Sequence, residues 1–160
     1  MPAGTIVNRL KDAIAEIIAI FASAQHEIDF VVPPSMLSVA GAYDTVEYAK
    51  RFMQHDGVMR GVTTVSHANI EEIRTRLETG EDLRHSDLHY EIFMFMADGR
   101  QSVSAINIGI EEYTRNTPLI AFRSEDPTFA EYLLASFENV WSQAVPAAQR
   151  IQELEQESKS

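Results

Sequence analysis

Apolar residues recur at three- and four-residue steps through Ile6, Leu10, Ile14, Ile17, Ile18 and Phe21, with Lys11, Asp12 and Glu16 between them. The spacing predicts an amphipathic helix from Val7 to Gln25. The run Ile28 to Val32 is short, β-branched and aromatic, and Pro33-Pro34 ends it, which fits a buried strand. A second helix carries Val39, Tyr43, Val46 and Phe52 toward the turn His55-Asp56-Gly57, and Met59 to Val65 reads as the next strand. Ser66 is the expected N-cap of a third helix, with Asn69 three positions on, Ile70, Ile73 and Leu77 on one face and Gly80 as its stop.

Tyr90 to Met96 and Gln101 to Ile108 are strand-like runs, and Asp98-Gly99 between them is the dipeptide of a tight hairpin. Alternation places Met94 and Met96 on one face with Ile92, and Phe93 with Phe95 on the other. Leu119 to Phe122 reads as a further short strand. The last helix opens at Asp126-Pro127, a cap followed by proline at the first helical position. Phe129, Leu133, Phe137, Val140, Ala144, Ala147, Ile151 and Leu154 trace one stripe along it, in heptad-like steps from Val140 onward, with Pro146 expected to kink or interrupt it. Trp141 belongs to this segment and is expected to pack on the sheet.

The order of elements predicts an α/β fold, a mixed sheet of five to six strands flanked by helices with a long C-terminal helix. Residues 1–145 form the domain, and 146–160 read as a linker or coiled-coil helix. A chain of 160 residues with 45% apolar content suits one domain with a real core.

Composition narrows the functions. No stretch is apolar for long enough to span a membrane and no secretory leader is evident, so a cytoplasmic protein without membrane insertion is expected. Without cysteine there is no disulfide, thiolate nucleophile or Cys-ligated metal. The formal charge of −11 repels phosphate backbones, so direct contact with nucleic acid is not expected.

His85, Asp87 and His89 form the densest set of possible metal ligands, and on a strand they would share a face. No second His or Cys cluster completes a closed site, so no metal and no cofactor is expected. Arg84 and His85 are candidates for recognising a small anion, since Arg offers a planar fork to carboxylate or phosphate and His a pH-responsive donor. Pairing of Arg84 with Asp82 or Asp87 is the competing reading. Arg60 and Arg123, near strand ends, are candidates on the same reasoning.

The series His89-Tyr-Glu91, Asp98-Gly99, Ser104 and Asn107 resembles a worn copy of the phospholipase D signature. From Gly57 to Glu155 the pattern Gly-Val-Met-Arg-Gly-Val-Thr-Thr-Val-Ser, then Leu83-Arg84-His85, then Phe137-Glu-Asn-Val-Trp141 with Ala144, Pro146 and Arg150-Ile-Gln-Glu-Leu154 is similar to the phospholipase D-like sensory domains of archaeal TrmB-like regulators and thaumarchaeal-type sensor histidine kinases. The resemblance implies that His89 takes the nucleophile position and Asn107 a phosphate-stabilising one. Glu91 stands where the family carries lysine, and a carboxylate there removes the cation on which phosphoryl chemistry depends. Asp98 lies two residues late.

The resulting expectation is a non-catalytic sensory or regulatory module, not an enzyme. It would recognise a ligand through Arg84, His85, His89 and Arg60 and signal through its C-terminal helix to a partner or a fused kinase or regulator. A homodimer is expected along the stripe from Val140 to Leu154. The alternatives are a phospholipase D-type phosphodiesterase using His89 in a homodimer, and a structural oligomerisation domain.

Overall fold

The computed structural model describes residues 4–41, 45–87, 92–106 and 112–159. The order is β1 (Thr5–Arg9), α1 (Leu10–Ser23), β2 (Glu27–Val31), α2 (Pro34–Gly41), α3 (Thr45–Gln54), β3 (Val58–Thr63), α4 (Ile70–Glu78), β4 (Asp82–His85), β5 (Ile92–Ala97), β6 (Gln101–Ile106), β7 (Pro118–Ser124), α5 (Pro127–Gln143), β8 (Val145–Pro146) and α6 (Ala147–Lys159). The strands form one mixed sheet in the order β1-β7-β6-β5-β2-β3-β4-β8. β2, β3 and β4 run parallel; every other pairing is antiparallel.

Eight strands stand where five to six were expected. β1 is one reason. Thr5, Ile6 and Val7 are β-branched and pair with β7, so the expected helix begins only at Leu10. β4 and β8 are the others: each is too short for a periodic signal and exists because a neighbouring strand offers it a ladder. Pro34 opens α2 at its first position, where the missing N–H costs nothing, and the expected second helix is two, α2 and α3. Tyr43, expected on that helix, lies outside the described residues. Asn69, not Ser66, is the N-cap of α4; its side chain instead accepts from the Ser66 N–H at 2.9 Å and donates to the Thr64 carbonyl at 2.9 Å.

The expected hairpin is present. Asp98 and Gly99 both have positive φ, 55° and 62°, and the Arg100 N–H donates to the Ala97 carbonyl at 3.0 Å, as a type I′ turn requires. The Asp98 carboxylate also ties the turn to β2, accepting from the N–H groups of Gln25, His26 and Glu27 at 2.8–2.9 Å. Partial burial pushes this carboxyl up, but the bonds from Glu27, Gln25 and His26 outweigh it and hold it below its usual value.

Helices cover both sheet faces. On one, Phe95 packs against Phe21 of α1 and Phe30 of β2, and Phe52 of α3 joins Phe21. On the other, α5 lays Phe137 and Trp141 over Arg60. β5 alternates between them as its sequence implies. Gly61 lies under the Phe30 ring, and a Cβ there would overlap it. Gly61→Ala is therefore expected to cost about 1–3 kcal/mol in urea unfolding, because the Phe30 ring, stacked on Phe95, must shift to admit the methyl group; an unchanged midpoint would refute that fit.

The apolar stripe at the C-terminus is divided. α5 ends at Gln143, β8 pairs with β4, and α6 then packs on β4 and α4. Ala147, Ile151 and Leu154 are buried by this chain itself. The basis for a homodimer along that stripe is thereby removed, since its apolar groups already have a surface.

Candidate functional site

The topology brings several chain ends to one edge. The carboxyl ends of the parallel strands β2, β3 and β4 lie beside the start of β5, because Val31 pairs with Met94 and Ile28 with Ala97. β6 returns to the same edge, with Ile106 opposite Ile92. His89, Glu91 and Asn107 lie outside the described residues. Asp98 is at the opposite end of the hairpin, and Ser104 is buried in β6 opposite Met94. Of the phospholipase D-like series, the described members Asp98 and Ser104 therefore lie apart, one in the turn and the other within β6.

His85 ends β4 with its side chain only 6% exposed. The Val65 N–H donates to its Nδ1 at 2.8 Å, so that nitrogen carries no proton, and Nε2 meets Asp87 Oδ1 at 3.3 Å. Thr64 Oγ1 donates to the Ser86 carbonyl at 2.8 Å, and the Ser86 N–H to the Thr63 carbonyl at 3.1 Å. The hydroxyl of Thr63, buried beside this cluster, has no hydrogen-bond partner among the described residues. Among those residues no group of three His, Cys, Asp or Glu is placed to hold a metal ion.

The three candidate arginines are engaged internally. Arg84 Nη1 donates to the Trp141 carbonyl at 2.8 Å, and its guanidinium stands 4.0 Å from the centre of the Trp141 ring. Neither Asp82 nor Asp87 is its recorded partner among the described residues. Arg60 meets Glu27 at 2.8 Å, Asp29 at 2.9 Å and Glu138 at 2.7 Å, beneath Phe137 and Trp141. Arg123 meets Glu16 at 3.4 Å and Glu125 at 3.3 Å, and donates to Gln101 at 2.8 Å.

Asp29 and Arg60 both hold a proton more tightly than usual, which favours the neutral form of one and the charged form of the other. Burial pushes the Asp29 carboxyl up to about 6, against the hydrogen bond from Arg60. Burial also works against the charge of Arg60, but its bonds to Glu138 and Asp29 outweigh that, and it holds its proton more tightly than usual. The difference follows from position: Asp29 is enclosed in β2, whereas Arg60 reaches two half-exposed carboxylates as well. Sequence reasoning missed this network. Its signal was Asp29, a charge inside the strand-like run Ile28 to Val32, which needs a buried partner.

No protein-family model matches the sequence, and no curated protein matches it. Solved structures do. TrmBL2, described as an archaeal chromatin protein with a novel mode of DNA binding, superposes with a TM-score of 0.68 at 14% identity over 92% of this chain; the chain spans 55% of TrmBL2. Nuc, a phospholipase D family member from Salmonella typhimurium, matches with a TM-score of 0.65 at 15% identity, covering 89% of this chain and 97% of Nuc. NucT from Helicobacter pylori gives 0.65 at 9%, covering 89% and 98%.

These likenesses correct two expectations. That the chain is not an enzyme does not stand, because its fold is shared with an enzyme family, phospholipase D. That it makes no direct contact with nucleic acid does not stand either, because the same fold occurs in a DNA-binding protein. Net charge is an average over the surface and does not fix the potential at one patch, and Glu91, on which the case against catalysis rested, has no described geometry. No helix is long and apolar enough to cross a membrane among the described residues. Strand order, the helices on both faces and these superpositions together give the chain a phospholipase D-like fold.

Proposed function

We propose that the chain is a regulatory module of a DNA-associated protein, taking a small anionic ligand at the carboxyl ends of β3 and β4 and passing the change to α6. The observation that supports this reading is the junction at β4. Arg84 is tied to the end of α5, and its neighbour His85 is tied to Val65, just past the end of β3. The same two residues pair with Pro146 and Val145, which lead directly into α6. An anion competing with Asp87 for the His85 ring shifts β4 against β8, and so acts on α6. Such coupling needs two states with different ligand affinity. His85 and His89 are the recognition residues in this proposal, with Arg84 and Arg60 as links to α5.

Inorganic phosphate is the probe, with thermal melting and amide hydrogen exchange of 147–159 as readouts. The expected result is a rise in Tm with added phosphate and slower exchange in α6, both lost in His85→Ala. Stabilisation by phosphate without any change in α6 would overturn the signalling reading. Retardation of a DNA duplex by the full protein tests the partner.

A second reading, a phospholipase D-type phosphodiesterase, is favoured by the length match to Nuc and NucT and by the return of β5 and β6 to one edge. It requires turnover of bis(p-nitrophenyl) phosphate that disappears in His89→Ala. Absence of turnover in the wild type sets it aside.

A further inference from the structure

A cavity of about 50 Å³ lies beneath α1, α2 and α3, against the sheet face that carries Phe30, Met59 and Phe95. Its wall is aliphatic and aromatic apart from Thr45, Arg76 and Glu81. A second void of about 30 Å³ shares Leu10, Ile17, Val32, Met36 and Phe95 with it, and Met36 is the flexible member of that common wall. None of these residues belongs to the strand-end cluster.

Arg76 is the polar group with unused capacity. Its side chain is 5% exposed, yet Nη1 reaches the two Glu81 oxygens only at 3.3 Å each and Nη2 reaches the Leu37 carbonyl at 3.4 Å. Nε has no hydrogen-bond acceptor among the described residues; Glu72 stands 3.7 Å away. Charge-assisted bonds of this kind normally run about 2.7–2.9 Å, and a guanidinium has five N–H donors to satisfy. An under-satisfied buried donor set needs an explanation, and an acceptor held in the adjoining cavity supplies one.

Charge decides which acceptor fits. Glu81 already balances Arg76, and burial pushes its carboxyl up, so a second carboxylate would add an uncompensated charge to apolar surroundings. Thr45 is committed, donating from Oγ1 to the Ala40 carbonyl at 2.8 Å. The fitting group is a neutral oxygen. Since one water molecule needs about 10–15 Å³, the main cavity has room for roughly four non-hydrogen atoms.

We propose that this cavity binds a small uncharged apolar molecule with one acceptor oxygen, a short-chain alcohol or ketone, its oxygen on Arg76 and its carbon body against Ile14, Phe30 and Phe95. The proposal is independent of the strand-end site and of the reading built on it. The cavity's size and dry wall exclude larger or charged ligands, and Arg76 sets the orientation.

Acetone and isobutene, equal in heavy-atom count and planar shape and differing in the oxygen, are the probes, followed by amide chemical shifts of the full chain. Acetone is expected to give saturable shifts confined to Leu37, Ala40, Ala49, Phe95 and their neighbours, with at least tenfold weaker binding of isobutene. Ala49→Leu, which fills the cavity from α3, is expected to abolish binding; Ala40→Leu fills it from α2 and serves if the first variant does not fold. Absence of saturable shifts, as for a cavity that holds only water, would overturn the proposal. So would equal affinity for the two probes, or undiminished binding in a folded filled variant.

Discussion

Trp141→Ala is expected to lower the unfolding free energy by about 3–5 kcal/mol, the range for truncating a large buried aromatic side chain. In a domain of this size that corresponds to a fall in Tm of roughly 10 °C. The ring is 8% exposed and stacks on Phe137 with centroids 5.6 Å apart. It also carries the Arg84 guanidinium at 4.0 Å and the Arg60 guanidinium at 5.4 Å. Removing it leaves a void beside two cations that lose their aromatic face, while the backbone carbonyl that accepts from Arg84 remains. Trp141→Phe keeps an aromatic face and is expected to recover more than half of the loss. Urea unfolding of both variants checks this, and a deficit under about 1 kcal/mol for alanine would show that the ring is not what joins α5 to the sheet.

Asp29→Asn is expected to change how stability depends on pH. The folded-state pKa of Asp29 is raised from 3.8 to about 6, so between these values the folded protein holds a proton that the unfolded chain has released. Stability then falls as pH rises from about 4 to about 6, and this group has made its full unfavourable contribution above that window. At about 1.36 kcal/mol per pH unit, the shift corresponds to roughly 3 kcal/mol, an order-of-magnitude figure for a carboxyl enclosed in β2. Asparagine keeps an oxygen for the Arg60 Nε, at 2.9 Å from the present carboxylate, and has nothing to ionise. The variant is therefore expected to gain stability relative to wild type between pH 4.5 and pH 7.5. Comparing the two proteins at each pH cancels the carboxylates remote from Asp29. A variant no better relative to wild type at pH 7.5 than at pH 4.5 would overturn the assignment.

The elements that were legible in sequence are those whose signal is local. The Asp98-Gly99 turn is fixed by its need for two positive φ values, and α5 by the Asp126 cap, whose side chain accepts from the Thr128 N–H at 2.9 Å, followed by Pro127. The candidate site was legible only in part. Arg60, Arg84 and His85 could be named as candidates from their residue types, but their partners Glu138, Trp141 and Val65 are 20 to 78 positions away. No local pattern encodes such a pairing; Arg76 and Glu81 are only five positions apart, and what their spacing does not encode is that both are buried.

The sequence by itself determined the class of fold, one turn, the main helices and the alternation of β5, because each follows from backbone sterics or from a repeat in apolar spacing. Tertiary structure alone decided that Thr5–Arg9 is a strand, that Val145–Pro146 is another, and that the stripe of Ala147, Ile151 and Leu154 faces its own domain. Short strands gain their hydrogen bonds only from a neighbour, and an apolar stripe specifies that it must be buried without specifying against what.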